Sequence, residues 1–108
     1  MEELKYILAQ RIGVFYKNQM WKRDMFDKIA EYYRSLDMID SLIYAMWNAR
    51  IVLKDGTVIT FVEANNTSRG RRFCKVIVQP EIEQSIIDTI IKPCIVPFAG
   101  TQCYVVDI

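Results

Sequence analysis

Two β-prone runs facing each other across Asp55-Gly56 constrain the fold more than any other feature of this 108-residue chain. Val52-Leu53 lies on one side, and the β-branched and aromatic run Val58-Ile59-Thr60-Phe61-Val62 on the other. Asp-Gly suits the positive φ angles of a tight two-residue turn, so a β-hairpin is expected here. The polar stretch Ala64 to Gly70 must be a loop, and Phe73-Cys74-Lys75-Val76-Ile77-Val78 returns as a third strand ending at Gln79-Pro80. Pro80 stands where a first helical residue belongs, with Glu81 and Glu83 in the first turn. Ile82, Ile86, Ile87, Ile90 and Ile91 form an apolar stripe that Pro93 ends. A turn at Pro97–Thr101 leads to a closing strand over Cys103–Ile108. Strand, helix and strand over 73–108 make one βαβ unit, which predicts parallel strands and a right-handed crossover.

The first half has helical periodicity. Leu4, Ile7, Leu8, Ile12 and Phe15 predict a helix over 2–17, with Gly13 as its weak point. Trp21, Met25, Ile29, Tyr32, Tyr33 and Leu36 predict a second over roughly 20–35. A third begins near Ser35 or Asp37, either a suitable N-cap, and passes through Ile39, Leu42, Ile43, Met46 and Trp47 to Asn48. It is apolar on most sides and should be the most buried of the three. The expected fold is a single α/β domain over 1–108, with α+β as the alternative. N-terminal helices (1–49) precede a hairpin and a βαβ unit (50–108) that together form a four-stranded mixed sheet.

Composition narrows the function. Hydrophobic residues at 52% and charged residues at 25% describe a globular chain rather than a disordered one. A net charge of +1 gives no global attraction to polyanions, so any such attraction must come from local clustering. No uncharged run approaches the ~20 apolar residues of a membrane span. The Met-Glu-Glu start lacks the basic lead of a signal peptide. Cys74, Cys94 and Cys103 are odd in number and widely spaced, and histidine is absent. That pattern fits reduced, buried thiols in a cytoplasmic protein with neither a metal site nor a cofactor. It also removes the commonest general base.

Two surfaces are candidates for function. Between Ala64 and Pro80 the chain carries Arg69, Arg71, Arg72 and Lys75 and no acid. With Asn65 and Asn66 alongside, this is a donor-rich loop suited to the phosphates of a nucleic acid or to an acidic protein. The loop enters the third strand at its amino end, so it should serve a face separate from any ligand site at the strands' carboxyl ends. The alternative is a protein partner, or a second copy of the chain, meeting Tyr16, Trp21, Phe26 and Tyr33 on an aromatic and Met-rich helical face. A metal-dependent nuclease is a further alternative, with Glu63 at a strand end. It lacks the E-x-K pattern, because Asn65 stands where the lysine belongs.

The stretch from Ile51 through Leu53-Lys54-Asp55-Gly56-Thr57-Val58-Ile59, Arg69-Gly70, Phe73–Val78, Ile82–Ile91 and Tyr104–Asp107 resembles part of the ATPase domain of large terminase subunits, the DNA-packaging motors of tailed phages. The likeness covers about residues 50–108, by pattern and order. It implies that Phe73–Val78 is the Walker B strand and Tyr104–Asp107 the coupling strand. The chain departs from that family where the chemistry lies. No G-x-x-x-x-G-K-[ST] occurs, and Gln79-Pro80 stands where the metal-binding Asp and catalytic Glu would end the strand. The resemblance therefore implies a degenerate core of phage or mobile-element type that acts by binding.

Overall fold

A computed structural model describes residues 10–46, 48–65, 72–95 and 105–107. Six strands form one mixed sheet: β1 (Arg11–Tyr16), β2 (Ile39–Tyr44), β3 (Ala49–Leu53), β4 (Val58–Glu63), β5 (Lys75–Val78) and β6 (Val105–Asp107). Their order is β2-β3-β4-β1-β5-β6. β1 lies between β4 and β5, parallel to both, and β5 is parallel to β6. β2, β3 and β4 form an antiparallel meander. The helix α1 (Gln19–Ser35) follows β1. A second helical segment, α2, joins one α-helical turn (Gln84–Ile86), a π-helical stretch (Ile87–Ile91) and a 3-10 turn (Lys92–Cys94).

The α/β class holds, but among the described residues the sheet has six strands rather than four, and parts of two expected helices are strands instead. Residues 11–16 of the first expected helix form β1, and residues 2–9 lie outside the described residues. Ile12, Val14, Phe15 and Tyr16 are all buried. A run apolar on both sides is what a central parallel strand needs, and helical spacing within it is incidental. Ile12, Val14 and Tyr16 face α1, while Phe15 faces α2. Gly13 is required on that second face: a Cβ there would lie 2.7 Å from the Phe73 ring.

The third expected helix is β2 with the turn that follows it. Far from being the most buried element, β2 is a sheet edge whose residues are all exposed or half-exposed. Asp37, read as a helix start, instead ends α1. It adopts the left-handed φ of 55°, Met38 N–H donates to Tyr33 O at 3.0 Å and Asp37 N–H to Arg34 O at 3.0 Å. That is a Schellman termination with aspartate where glycine is usual. Aspartate suits N-caps and left-handed positions alike, which makes its signal ambiguous.

α1 itself lies where its periodicity predicts. Asn18 caps it by accepting from Trp21 N–H at 2.8 Å, and Lys22, Met25, Phe26 and Ala30 are buried. The hairpin between β3 and β4 also forms, but around a three-residue loop, Lys54-Asp55-Gly56. Leu53 N–H donates to Thr57 O at 2.9 Å and Gly56 N–H to Leu53 O at 3.0 Å. Gly56 takes φ 92°, and Asp55 Oδ1 accepts from Thr57 N–H at 2.9 Å. This is a type I turn closed by a glycine bulge.

Each helix covers half of one face. α1 packs over β1 to β4, and α2 packs on the opposite face over β1 and β5. Cys74 and Cys94 are buried, as expected, and Cys103 lies outside the described residues. No helix among the described residues is long and apolar enough to cross a membrane.

Candidate functional site

At the carboxyl ends of β1 and β5, where open α/β sheets receive ligands, the chain fills the space with its own side chain. Gln79 is 1% exposed. Its Oε1 accepts from Lys17 N–H at 2.7 Å and from Asn18 N–H at 3.4 Å. These are the loop amides that precede α1, the groups that elsewhere cradle a phosphate. Gln79 Nε2 donates to Glu81 at 2.9 Å, and Gln79 N–H donates to Phe15 O at 3.0 Å. The amide thus satisfies donors on one side and occupies a carboxylate on the other. Beside it Lys17, Ala64, Ile82, Glu83 and Ile86 line a hollow of about 140 Å³. Among the described residues no three Asp, Glu, Cys or His side chains are grouped so as to hold one metal ion. Glu63, the nuclease candidate, ends β4 directly across from Tyr16.

A second buried polar group was missed by the sequence reading. Lys22 is fully buried. Its Nζ donates to Ala45 O at 3.0 Å and Met46 O at 2.6 Å, with the rings of Tyr16 and Tyr44 4.9 and 5.1 Å away. Burial lowers its pKa, and the Glu63 charge partly opposes the shift. Burial likewise raises the Tyr16 pKa, with the Glu63 charge adding to the effect. Lys22 lies one turn before Met25 and Phe26 on the buried stripe of α1, and that spacing is the signal that could have revealed it. It straps the β2–β3 turn to the helix.

The aromatic residues proposed as a partner surface belong mostly to the core. Tyr16 and Phe26 are buried, and Phe26 packs edge-on to Tyr44 at 4.9 Å and tilted against Phe61 at 5.3 Å. Trp21 and Tyr33 are half-buried against the same cluster. The exposed apolar side chains are others: Met20, Tyr32, Leu36, Leu42, Tyr44 and Met46.

The basic loop is divided by the topology. Because β4 and β5 both run parallel to β1, the chain leaving β4 must travel the length of the sheet, roughly 20 Å for six residues, before it enters β5. Asn65 stays at the carboxyl end, half-buried, while Arg72 and Lys75 lie at the amino end. Asn66, Arg69 and Arg71 lie outside the described residues. Cys74 N–H donates to Arg11 O at 2.8 Å, and Lys75 pairs in register with Ile12. Arg11, exposed Arg72 and half-buried Lys75 therefore lie at the amino ends of β1 and β5, the end of the sheet opposite Gln79, with Lys75 on the α1 face beside Ile12 and Arg11 on the other.

Comparison with known protein families, with curated proteins and with solved structures finds no match to this chain.

Proposed function

We propose that this chain binds nucleic acid through the basic amino end of its β1–β5 pair, as a non-catalytic cytoplasmic protein of phage or mobile-element type with a degenerate terminase-like core. The observation that carries the reading is the placement of Arg11, Arg72 and Lys75 at one end of the sheet. In the sequence, Arg69 and Arg71 stand within the three positions before Arg72. Phosphate contacts of this kind supply affinity without sequence preference. The absence of catalysis is supported by Gln79, whose amide engages the loop N–H groups that a bound phosphate would need. Replacing Arg69, Arg71 and Arg72 with Ala tests the reading. Stability should stay within about 1 kcal/mol, as for surface changes. Affinity for a DNA oligonucleotide should fall, and its salt dependence should flatten by up to ~0.9 per lost phosphate contact. Unfolding of the variant would make these arginines structural.

A variant that is stable and binds unchanged would instead favour a protein partner at the β2 edge. That edge has no strand on its outer side among the described residues and displays Leu42 and Tyr44, with Met46 just beyond. Such a partner would add a strand to the sheet.

A further inference from the structure

β2 closes one side of the sheet, and among the described residues no strand pairs with its outer edge. The neighbouring strand fixes which of its backbone groups face outward. Lys54 N–H donates to Met38 O at 2.8 Å, and Leu53 N–H donates to Thr57 O at 2.9 Å. Successive residues of a strand alternate in this respect, so Val52 and Arg50 direct their backbone groups at β2, as Lys54 does. Their partners Ser41 and Ile43 are therefore turned inward, and Leu42 and Tyr44 turn their N–H and C=O groups outward. We propose that this edge pairs with the same edge of a second copy of the chain, antiparallel, about a two-fold axis at Ile43. The proposal goes beyond the nucleic-acid reading and does not depend on it.

The register of the edge is self-complementary. With the axis at Ile43, Leu42 of each chain stands opposite Tyr44 of the other, and each such pair exchanges both of its N–H···O bonds. An axis at Leu42 would instead set Tyr44 against Asp40, where the bulge between Ile39 and Ser41 breaks the ladder. The side chains match on both faces as well. Leu42 and Tyr44 lie on the α1 face, opposite buried Ile51 and Ala49, and the Tyr44 ring stands edge-on to Phe26 at 4.9 Å. On that face Leu42 of one copy would meet Tyr44 of the other, an aliphatic–aromatic pair of the kind that stabilises sheets. On the opposite face half-buried Ile43 would meet its own copy. The edge also lacks the usual protection against such pairing. From Met38 to Met46 the one charged residue is Asp40, at the bulge, and there is no lysine or proline. Leu42, Tyr44 and Met46 are exposed instead. Any extended chain could use the outward backbone groups, but a copy brings the matching side chains by symmetry. The pairing closes on itself, because β3 already takes the inner side of β2.

Sedimentation equilibrium of the full chain, without nucleic acid, tests this. An edge of 6 residues is small beside the roughly 20–30 residues a side of a standard interface, so the dimer should be weak and form between about 1 and 300 μM. Ile43→Lys and Ile43→Glu each set like charges face to face at the axis, and each should raise the dissociation constant at least about tenfold. Mixing the two variants should restore a dimer, because position 43 meets itself in this register alone. Circular dichroism checks that both remain folded, and if a charged variant unfolds, Ile43→Cys decides. Residues in a non-hydrogen-bonded antiparallel pair lie about 4.5 Å apart at Cα, within reach of a disulfide, so mild oxidation of Ile43→Cys should link two chains. Arg50→Cys, one strand further in on the same face, should stay unlinked. A chain that is monomeric throughout the concentration range would overturn the proposal and leave the edge to a different protein. A dimer unmoved by folded Ile43→Lys, or an unlinked Ile43→Cys, would overturn it by placing the contact on another surface. Assemblies that keep growing with concentration would overturn the closed two-fold.

Discussion

A methyl group on Gly13 would meet three carbons of the Phe73 ring at 2.7 to 2.9 Å. Both residues lie in the layer beneath α2, so the ring has little room to retreat, and Gly13→Ala should cost about 1–3 kcal/mol, the usual range for overpacking. Urea unfolding measures this, and pairing the change with Phe73→Leu should recover part of the loss, because residues in contact are not additive. A neutral Gly13→Ala would show that the ring moves freely. Lys22 carries a different kind of constraint. Lys22→Ala would strand the Ala45 and Met46 carbonyls and leave a void, at a cost of about 3 kcal/mol. Lys22→Met keeps most of the packing and should cost less. The pH dependence has a definite sign. With its folded pKa below the unfolded value, Lys22 loses its proton first in the folded state. Over that window the unfolded chain binds more protons, so the contribution of Lys22 to stability rises with pH. Tyr16 acts in the opposite sense, since its raised pKa removes stability as pH climbs above about 10. Tyr16 is common to both proteins, so the difference isolates the lysine: wild type should gain on Lys22→Met as pH rises toward the ordinary lysine value.

Among the elements, the end of α1 is where local sequence and backbone disagree most. Asp37 holds a left-handed conformation that costs a non-glycine residue about 1–2 kcal/mol, and an exposed ion pair with Lys54 at 3.2 Å compensates it weakly. Asp37→Gly should raise stability by about 0.5 kcal/mol after the greater freedom of glycine in the unfolded chain is counted. Asp37→Ala should lower it, and thermal unfolding of the three proteins should rank them glycine, aspartate, alanine. The same residue explains one misreading of the sequence, since an aspartate between two apolar stretches marks a helix start and a helix end equally well. α1 was legible because its caps and its stripe agree. β1 was not, because a strand buried on both faces carries no alternation, and its apolar positions happen to fall at helical intervals. β2 was not, because an edge strand with a bulge between Ile39 and Ser41 breaks its own period of two. The β3–β4 hairpin was legible, although Asp55-Gly56 pointed to a two-residue turn and the loop has three residues.

For the molecule as a whole, the candidate site was legible in its parts and not in its arrangement. Gln79 stands at the carboxyl end of β5 as the order of the runs implied, and Arg72 at the amino end. That Asn65 is separated from Arg72 by the length of the sheet follows only once β4 and β5 are known to run parallel on either side of β1. The position of β1 has a further consequence for how the chain is made. Arg11 pairs with Val58, 47 residues on (58 − 11), and Ile12 with Lys75, 63 residues on (75 − 12). The strand that joins the meander to β5 and β6 thus has no early neighbour. At translation rates of roughly 5–20 residues per second, roughly 3–13 s separate the synthesis of β1 from that of its second partner. During that interval the meander β2–β3–β4 can assemble from local contacts, and both edges of the most apolar strand stay open to chaperones or to aggregation. High contact order of this kind slows folding, so the rate-limiting event in the life of this protein is expected to be the insertion of its first described strand.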